Sequence, residues 1–568
     1  MVPKVITRSK DPLFWQEVRE KGDYRPLRDD LLKKWEHHVG TELPSVTYGE
    51  YRLFFETGNR SLYEAKYFLL RRALSLSALL SMIYPEDKQY LSRLEDVIFA
   101  ICNEYTWCLP AHQPNGTEDI TNHIDVFASE TAGALAEINE ILGERLSPLV
   151  RALVRRSVES RVIEPYAAGK TAYPWESSQG SRAAVCASGV AMAVAYIRPD
   201  LLPSLLPRIE NSMQAFLSGY GDDGFCPEGI SSWSYGFGYY AVYADLIRDL
   251  TDGAVNGFAS PKVAAISSYL GRMYLCGNVV ASFSDSPRHA NASIGLNHYL
   301  YREYPDRVKL IDASLTGFAS GCAHFALDLR RVLWFDPALR TEDVSDVDET
   351  YYAADAEWYV RKHSTFGFAA KAGHNGEPHN HNDIGSFIIA LDRQQIFADI
   401  GAGAYTGQYF QDQTRYKSFA CGSQGHSVPY FGENHQKHGA AFAAVNVKAE
   451  QNTFSLDMAG AYGISALRSL VRSFEIGEHE VRLTDTFATD GTLPITERFI
   501  LLAEPSLRDG VLTVANKRVT FGESAKKIRI EYTPIPPHGG ASRAPTDLWT
   551  VDVLLRAGAD VFTMRVEL

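Results

Sequence analysis

The hydrophobic period of this chain changes once, near residue 320, and that change limits the fold more than any single motif does. Before it, apolar residues recur at three- and four-residue spacing in "SLYEAKYFLLRRALSLSALLSMIY" (61–84), "LSRLEDVIFAICNEY" (91–105), "IDVFASETAGALAEINEIL" (124–142) and "LSPLVRALVRRSVESRVI" (146–163). "AAVCASGVAMAVAYI" (183–197), "LLPSLLPRIENSMQAFLSGY" (201–220) and "SYGFGYYAVYADLIRDL" (234–250) continue the series. Several are apolar nearly all round, which suits helices buried on more than one side. Helix pairs at roughly forty-residue intervals predict stacked helical hairpins, a solenoid or a closed toroid.

After residue 320 the runs shorten and alternate. "STFGFAAKAG", "GSFIIALDRQQIFADIG", "RSLVRSFEIGEHEVRLTDTFATDG", "PITERFILLAEPSL" and "DVFTMRVEL" read as strands, with turn residues at roughly 8–14-residue intervals. Strands without intervening helices imply antiparallel sandwich layers. A chain of 568 residues is too long for one ordinary core. The expectation is a multi-domain α+β protein. Residues 1–315 form an (α/α) toroid of helical hairpins and residues 316–568 an antiparallel β-sandwich, with a cleft between them as the natural binding place.

Net charge is −13, which argues against broad nucleic-acid binding and requires focused basic residues for any polyanionic ligand. No run of about 18 apolar residues occurs, so no membrane-spanning helix is expected. The first 38 residues contain no apolar core of a secretory signal. The expectation is therefore cytoplasmic, or secreted or periplasmic if a signal has been removed. The seven cysteines are odd in number, scattered and without a CxxC pair, which predicts reduced and mostly buried thiols.

The densest polar cluster is "GEPHNHNDIGSF" (376–387), which sets His379, Asn380, His381, Asn382 and Asp383 just ahead of two strand-like runs. If 379–381 is extended, His379 and His381 share a face. Asp399 in "IFADIGAGAY" and His426 in "CGSQGHSVPY" would complete an N/N/O set with His381 for one divalent metal ion. Zinc is the first choice, with manganese or calcium as alternatives. The spacing equally fits turn and strand-end residues with ordinary hydrogen bonds. A second stretch, "DDGFCPEGISSWSYGFGYYAVYADLI" (222–247), carries Trp233, Tyr235, Tyr239 and Tyr240. These fit core packing. They also fit a tyrosine acid–base and a tryptophan platform for sugar stacking. Asn122 and His123 read as loop or helix-start residues, with a substrate role as the alternative. His374, Tyr405, Arg415 and Tyr416 flank the histidine and metal segments and, with Asn380, could line a sugar subsite.

Together, "EYTWCLPAH" (104–112), "IDVFASETAGALAEI", "DGFCPEGISSWSYGFGYY" and "PHNHNDIGSFIIALDRQQIFADIGAGAY" resemble the heparinase II/III-like superfamily of polysaccharide lyases. The resemblance runs from about residue 100 to 430. It implies a helical toroid followed by an antiparallel sandwich. It also implies cleavage of uronic-acid polysaccharides or oligosaccharides by β-elimination. Glycosaminoglycans (heparan sulfate, hyaluronan, chondroitin sulfate) are the implied substrates, and alginate is a further one. On the resemblance, Tyr235 is the catalytic tyrosine, aided by a nearby cation, and His379 is the substrate-facing histidine. His381, Asp399 and His426 hold a positioning metal. Trp233 and Tyr239 line the substrate. Relatives carry an asparagine-containing motif where this chain has "SSQGSRAAVCASG" (177–189), so Gln179 or Arg182 is expected to neutralise the substrate carboxylate. Ser232 replaces a second tyrosine. A catalytically weakened carbohydrate-binding relative follows from these departures, and a metal-dependent glycan hydrolase from the His381, Asp399 and His426 set. The expected partner is an acidic polysaccharide or oligosaccharide, with no nucleic acid and no membrane. The oligomer is left open, a homodimer being one option.

Overall fold

A computed structural model of the chain describes residues 2–38, 42–114, 120–169, 172–290, 293–312, 324–339, 348–535 and 546–568. The expected boundary at 315/316 and Cys322 lie outside the described residues. The other six cysteines are free, and all but Cys276 are buried. Among the described residues, no single helix is long and apolar enough to cross a membrane.

The chain forms two compact units, one comprising Met1–Tyr220, Ser232–Ser267 and Ala292–Thr341, the other Gly221–Ser231, Ser268–Asn291 and Glu342–Leu568. The units therefore do not divide at one point in the sequence. Two segments from the helical half of the chain belong to the sheet unit. Aromatic packing shows why: Trp358 holds Phe225 at 4.7 Å and Phe283 at 4.9 Å between ring centroids.

In the helical unit the periodic runs become the helices Ser61–Ile83, Lys88–Cys102, Val126–Leu142, Pro148–Val158, Ser181–Ile197, Leu202–Ser218 and Gly238–Leu250. Packing runs from Val126–Leu142 to Ser181–Ile197, then to Gly238–Leu250, then to Phe325–Leu333. Phe325–Leu333 returns to Ser61–Ile83, so the array closes on itself as a toroid requires. A buried pair fixes the closure: Arg330 donates to both Glu137 oxygens at 2.5 and 2.7 Å. Val126–Leu142 and Ser181–Ile197 approach closely because glycines face each other. A Cβ on Gly189 would lie 2.4 Å from the Ser129 carbonyl oxygen. The tyrosine-bearing stretch opens with a π-helical turn, Trp233–Phe237.

The sheet unit contains strands β1 Glu349–Ala353, β2 Trp358–Lys362, β3 Gly367–Lys371, β4 Phe387–Leu391, β5 Gln394–Phe397, β6 Val445–Ala449, β7 Thr453–Asp457, β8 Leu467–Ile476 and β9 Glu480–Thr489. They are followed by β10 Ile495–Leu501, β11 Ser506–Arg508, β12 Val511–Val514, β13 Lys517–Phe521, β14 Ala525–Tyr532, β15 Trp549–Leu555 and β16 Val561–Glu567. One sheet runs β6-β7-β8-β9-β16-β13-β12-β11 and the other β14-β15-β10-β5-β4-β3-β2-β1, with antiparallel pairing throughout. Their inner faces merge into one core, in which Phe474 of the first sheet meets Phe368 and Phe387 of the second at 5.1 and 5.2 Å. β4 and β5 are the two runs that follow the histidine cluster. Asp392 and Arg393 link them, both at positive φ, as a two-residue type I′ turn requires.

Candidate active site and metal pocket

His379 and His381 converge on a residue that the sequence pattern does not mark, Asp285. His379 Nδ1 lies 2.8 Å from Asp285 Oδ2, and His381 Nε2 lies 3.0 Å from Oδ1. Tyr409 donates its hydroxyl to Oδ1 at 2.5 Å, and Arg415 donates there at 3.1 Å. All five residues belong to the sheet unit, Asp285 through its Ser268–Asn291 segment. The expected extended run at 379–381 is not formed. His379 sits at φ 57°, a left-handed conformation uncommon for residues other than glycine. The shared direction of the two rings therefore comes from a turn and a common acceptor, not from strand alternation.

Burial alone would raise the Asp285 carboxyl. The hydrogen bonds from His379 and His381, with the charges of His381 and Arg415, hold it well below the usual carboxylate range. Burial pulls both histidines down, and Asp285, joined by Glu228 at His379 and by Cys421 at His381, outweighs it, raising His379 and taking His381 up to about 10. The His379 side chain keeps 36 % of its surface exposed, whereas His381 is fully buried. His379 is thus the histidine of the pair that can meet a ligand.

His381, Asp399 and His426 come together, buried, with candidate ligand atoms within 4.8 Å of one another. Their hydrogen bonds fit a metal. His381 Nε2 is occupied by Asp285, while its Nδ1 is buried with no partner among the described residues. His426 Nε2 donates to the Ala420 carbonyl at 3.0 Å, leaving Nδ1 against Asp399 Oδ2 at 3.0 Å. Asp399 Oδ1 accepts from the Gly401 amide. Each histidine is therefore oriented through its outer nitrogen, the usual support for a metal-binding imidazole. Cys421, also buried, lies close enough to Asp285 and His381 to form a second potential ligand group.

The helical unit has its own cluster, around Glu130. Tyr235 donates a short hydrogen bond to Glu130 Oε1, Tyr239 donates to Oε2 at 2.8 Å, and His324 Nδ1 lies 2.6 Å from Oε2. The Tyr235 and His324 rings are 4.7 Å apart. Burial pulls His324 down, but Glu130 outweighs it and raises its pKa. Burial, then Glu130, drives Tyr239 well above the ordinary phenol range. His324 is thus a basic group beside Tyr235, and Glu130 is bonded to both. Glu130 and His324 escaped the sequence reading because each sits in an ordinary run of helix or loop. The signal available was a glutamate among the small and apolar residues of "ASETAGALA".

Several expected substrate residues are placed elsewhere. Trp233 is 1 % exposed and donates its indole N–H to the Ile266 carbonyl, so it packs the core and offers no sugar platform. Tyr239 is buried and serves Glu130. Asn380 is buried, its carbonyl accepting from Arg415 Nε at 3.1 Å. Arg415 is itself buried on Asp285 and across the Tyr409 ring, so it braces the site rather than lining a subsite. Tyr405 is half-buried against Tyr409, and Tyr416 stacks on His438 at 4.2 Å. His374 pairs with Glu377 at 2.8 Å. Gln179 and Arg182 are exposed at the start of the Ser181–Ile197 helix. Asn122 is exposed in a turn, and His123 leans on Tyr173.

Residues 350–553 match the family described as heparinase II/III-like, C-terminal. That segment is similar to the heparinase II/III-like C-terminal domain. The matched segment spans β1 to β15 and holds the histidine cluster and the candidate metal ligands, while Asp285 reaches it from earlier in the sequence. No curated protein matches the chain by sequence. Among solved structures, heparinase III aligns over 100 % of this chain and 94 % of its own, at 13 % identity and TM-score 0.61. The heparan sulfate lyase HepC from Pedobacter heparinus aligns over 98 % and 92 %, at 12 % identity and TM-score 0.54. A chondroitin AC lyase from Streptomyces coelicolor A3 aligns over 99 % and 82 %, at 11 % identity and TM-score 0.54. At these identities the likeness establishes the fold, helical toroid and antiparallel sheets together.

Proposed function

We propose that this chain is a polysaccharide lyase that cleaves uronic-acid-containing polysaccharides or oligosaccharides by β-elimination. Glycosaminoglycans are the favoured substrates and alginate is a further one. The observation that supports it most is His379. It is partly exposed, held by Asp285 and set within the segment that matches the heparinase II/III-like domain. The structures that share the fold are named as lyases of heparan sulfate and chondroitin.

The reaction removes the C5 proton beside a carboxylate, breaks the C4–O4 bond and leaves a C4–C5 double bond, with a proton delivered to O4. The developing negative charge must be stabilised, and that is the largest energetic demand. Tyr235 and His379 are assigned the proton transfers. Tyr235 is hydrogen-bonded to Glu130, so its proton has a carboxylate to move toward, and His324 balances the resulting charge. Exposed Arg182 or Gln179 is assigned to the substrate carboxylate. His381, Asp399 and His426 are assigned one divalent ion, zinc first, which when bound supplies a fixed positive charge and ties their two loops together. The Asp399–His426 contact and the outer hydrogen bonds support that assignment.

The weakened-relative reading draws on the same Tyr235–Glu130 bond, because a phenol engaged by a carboxylate is a poor free base. Incubation with heparan sulfate, hyaluronan, chondroitin sulfate and polymannuronate, followed by ultraviolet absorbance of the unsaturated uronate, separates the readings. Rising absorbance supports the lyase. Reducing ends without it favour the hydrolase, and binding without product favours the weakened relative.

A further inference from the structure

We propose that Asp285 is a positioning residue whose single carboxylate imposes opposite tautomers on His379 and His381, so that metal loading and the orientation of the ligand-facing histidine are set by one group. This rests on the lyase and metal reading above. A carboxylate offers only lone pairs, so each ring nitrogen facing it must carry the hydrogen. At His379 that nitrogen is Nδ1, which leaves Nε2 as the reacting atom of this partly exposed side chain. At His381 it is Nε2, which leaves the buried Nδ1, without a hydrogen-bond partner among the described residues, as the nitrogen whose proton a metal would displace. Two residues apart in sequence, the histidines are thus prepared for different tasks by one partner.

Asp285 is itself held so that it cannot turn away. Tyr409 and Arg415 both donate to Oδ1. Arg415 is fixed in turn by its bonds to the Asn380 and Tyr409 carbonyls. The preceding Ser284 lies at φ 63°, and the hydroxyl of the following Ser286 accepts the Ile230 amide at 3.1 Å. Asp285 could be taken for a ligand of a second ion with His381 and Cys421. Its oxygens already serve an arginine cation and two ring N–H groups, and a metal there would have to displace them. The geometry therefore assigns Asp285 to anchoring.

The test is Asp285→Asn in the full-length protein, since the amide presents an N–H where one histidine needs an acceptor. Zinc affinity of the protein alone, read by chelator competition, is expected to fall 10–100-fold. With the lyase substrate, kcat is expected to fall at least about tenfold while KM changes little, the pattern of lost positioning rather than lost binding. Unchanged zinc affinity, unchanged kcat or a loss confined to KM overturns the inference. If wild type neither binds zinc nor forms unsaturated product, the functional reading fails instead. The inference is then decided by ring-15N spectra of neutral His379 in wild type, assigned with His379→Gln. Hydrogen on Nδ1 supports it and hydrogen on Nε2 overturns it, and this measurement also stands if the Asp285 variant does not fold.

Discussion

The Tyr235 hydroxyl donates to Glu130, and that carboxylate is simultaneously the acceptor for Tyr239 and the partner of His324. A tyrosine so placed acts in proton transfer only if Glu130 remains a carboxylate. Glu130→Gln keeps the shape and an acceptor oxygen but removes the charge that receives the proton. We expect kcat to fall about 10²-fold or more, within the range for loss of acid–base assistance. Tyr235→Phe should abolish formation of unsaturated product while leaving the circular dichroism spectrum unchanged. Product formation by Tyr235→Phe would remove this tyrosine from the mechanism.

The proposed metal makes a separate claim on the sheet unit. His381→Ala and His426→Ala should each lose the ion in elemental analysis, where wild type carries about one per chain. Ligand binding stabilises the native state by mass action, about 2.7 kcal/mol at a hundredfold excess over Kd. Chelator treatment of wild type should therefore lower its melting temperature, and the same treatment should leave His381→Ala unmoved.

Close helix packing in the toroid gives a sharp steric prediction. Gly189→Ala would put a methyl group 2.4 Å from the Ser129 carbonyl oxygen and 2.5 Å from its carbon, both backbone atoms. The helices must separate, at a cost of about 1–3 kcal/mol. Ser129 precedes Glu130, so activity should fall along with the urea midpoint. An alanine variant as stable as wild type would show that this helix pair is looser than described.

His298 supplies a pH dependence whose sign is fixed by geometry. The Asp336 amide donates to His298 Nδ1 at 3.0 Å, so that nitrogen must keep its lone pair. Burial first, then Arg302, lowers its pKa from 6.5 to about 4. Between those values the unfolded chain binds a proton that the folded chain refuses. Stability is therefore intact above pH 6.5 and declines as pH falls toward 4, by at most about 3 kcal/mol. Urea midpoints at pH 7 and 4.5 should fall further for wild type than for His298→Gln. Equal declines would assign the acid sensitivity to other groups.

Periodicity revealed the helices and strands because each buries one face, and the alternating burial along β8 and β9 follows the sequence directly. Polar density and spacing singled out His379, His381, Asp399 and His426, which cluster within one domain. Asp285 and Glu130 were not legible, for different reasons. Asp285 lies in "FSDSP", flanked by ordinary turn residues, and meets the histidines only because a segment from the helical half of the chain packs on Trp358. Glu130 lies on a helix face whose neighbours are small and apolar, so its partners are fixed by helix crossing, which no local pattern records. Trp233 misled in the opposite sense: an aromatic beside a glycine-rich loop fits a sugar platform as well as a core, and only burial separates the two.

Arg472 carries the last prediction. It is buried within the sandwich, donating to Asp485 at 2.6 and 2.9 Å and to Glu497 at 2.9 Å. Its remaining nitrogen reaches two backbone carbonyls, Gly385 at 2.9 Å and Ser427 at 2.7 Å. Gly385 follows the loop of His379 and His381, and Ser427 follows His426, so one guanidinium grips the backbone of both loops of the proposed metal site. Arg472→Leu would leave two carboxylates without their cation and both carbonyls without their donor. Breaking such a buried network costs about 3–5 kcal/mol, a large share of the stability of a domain. Arg472→Lys retains the charge but lacks the planar fork needed to hold five oxygens at once. It should therefore recover part of the urea midpoint without recovering metal occupancy. If Arg472→Lys binds zinc as wild type does, the loops are positioned by their own turns and the arginine serves stability alone.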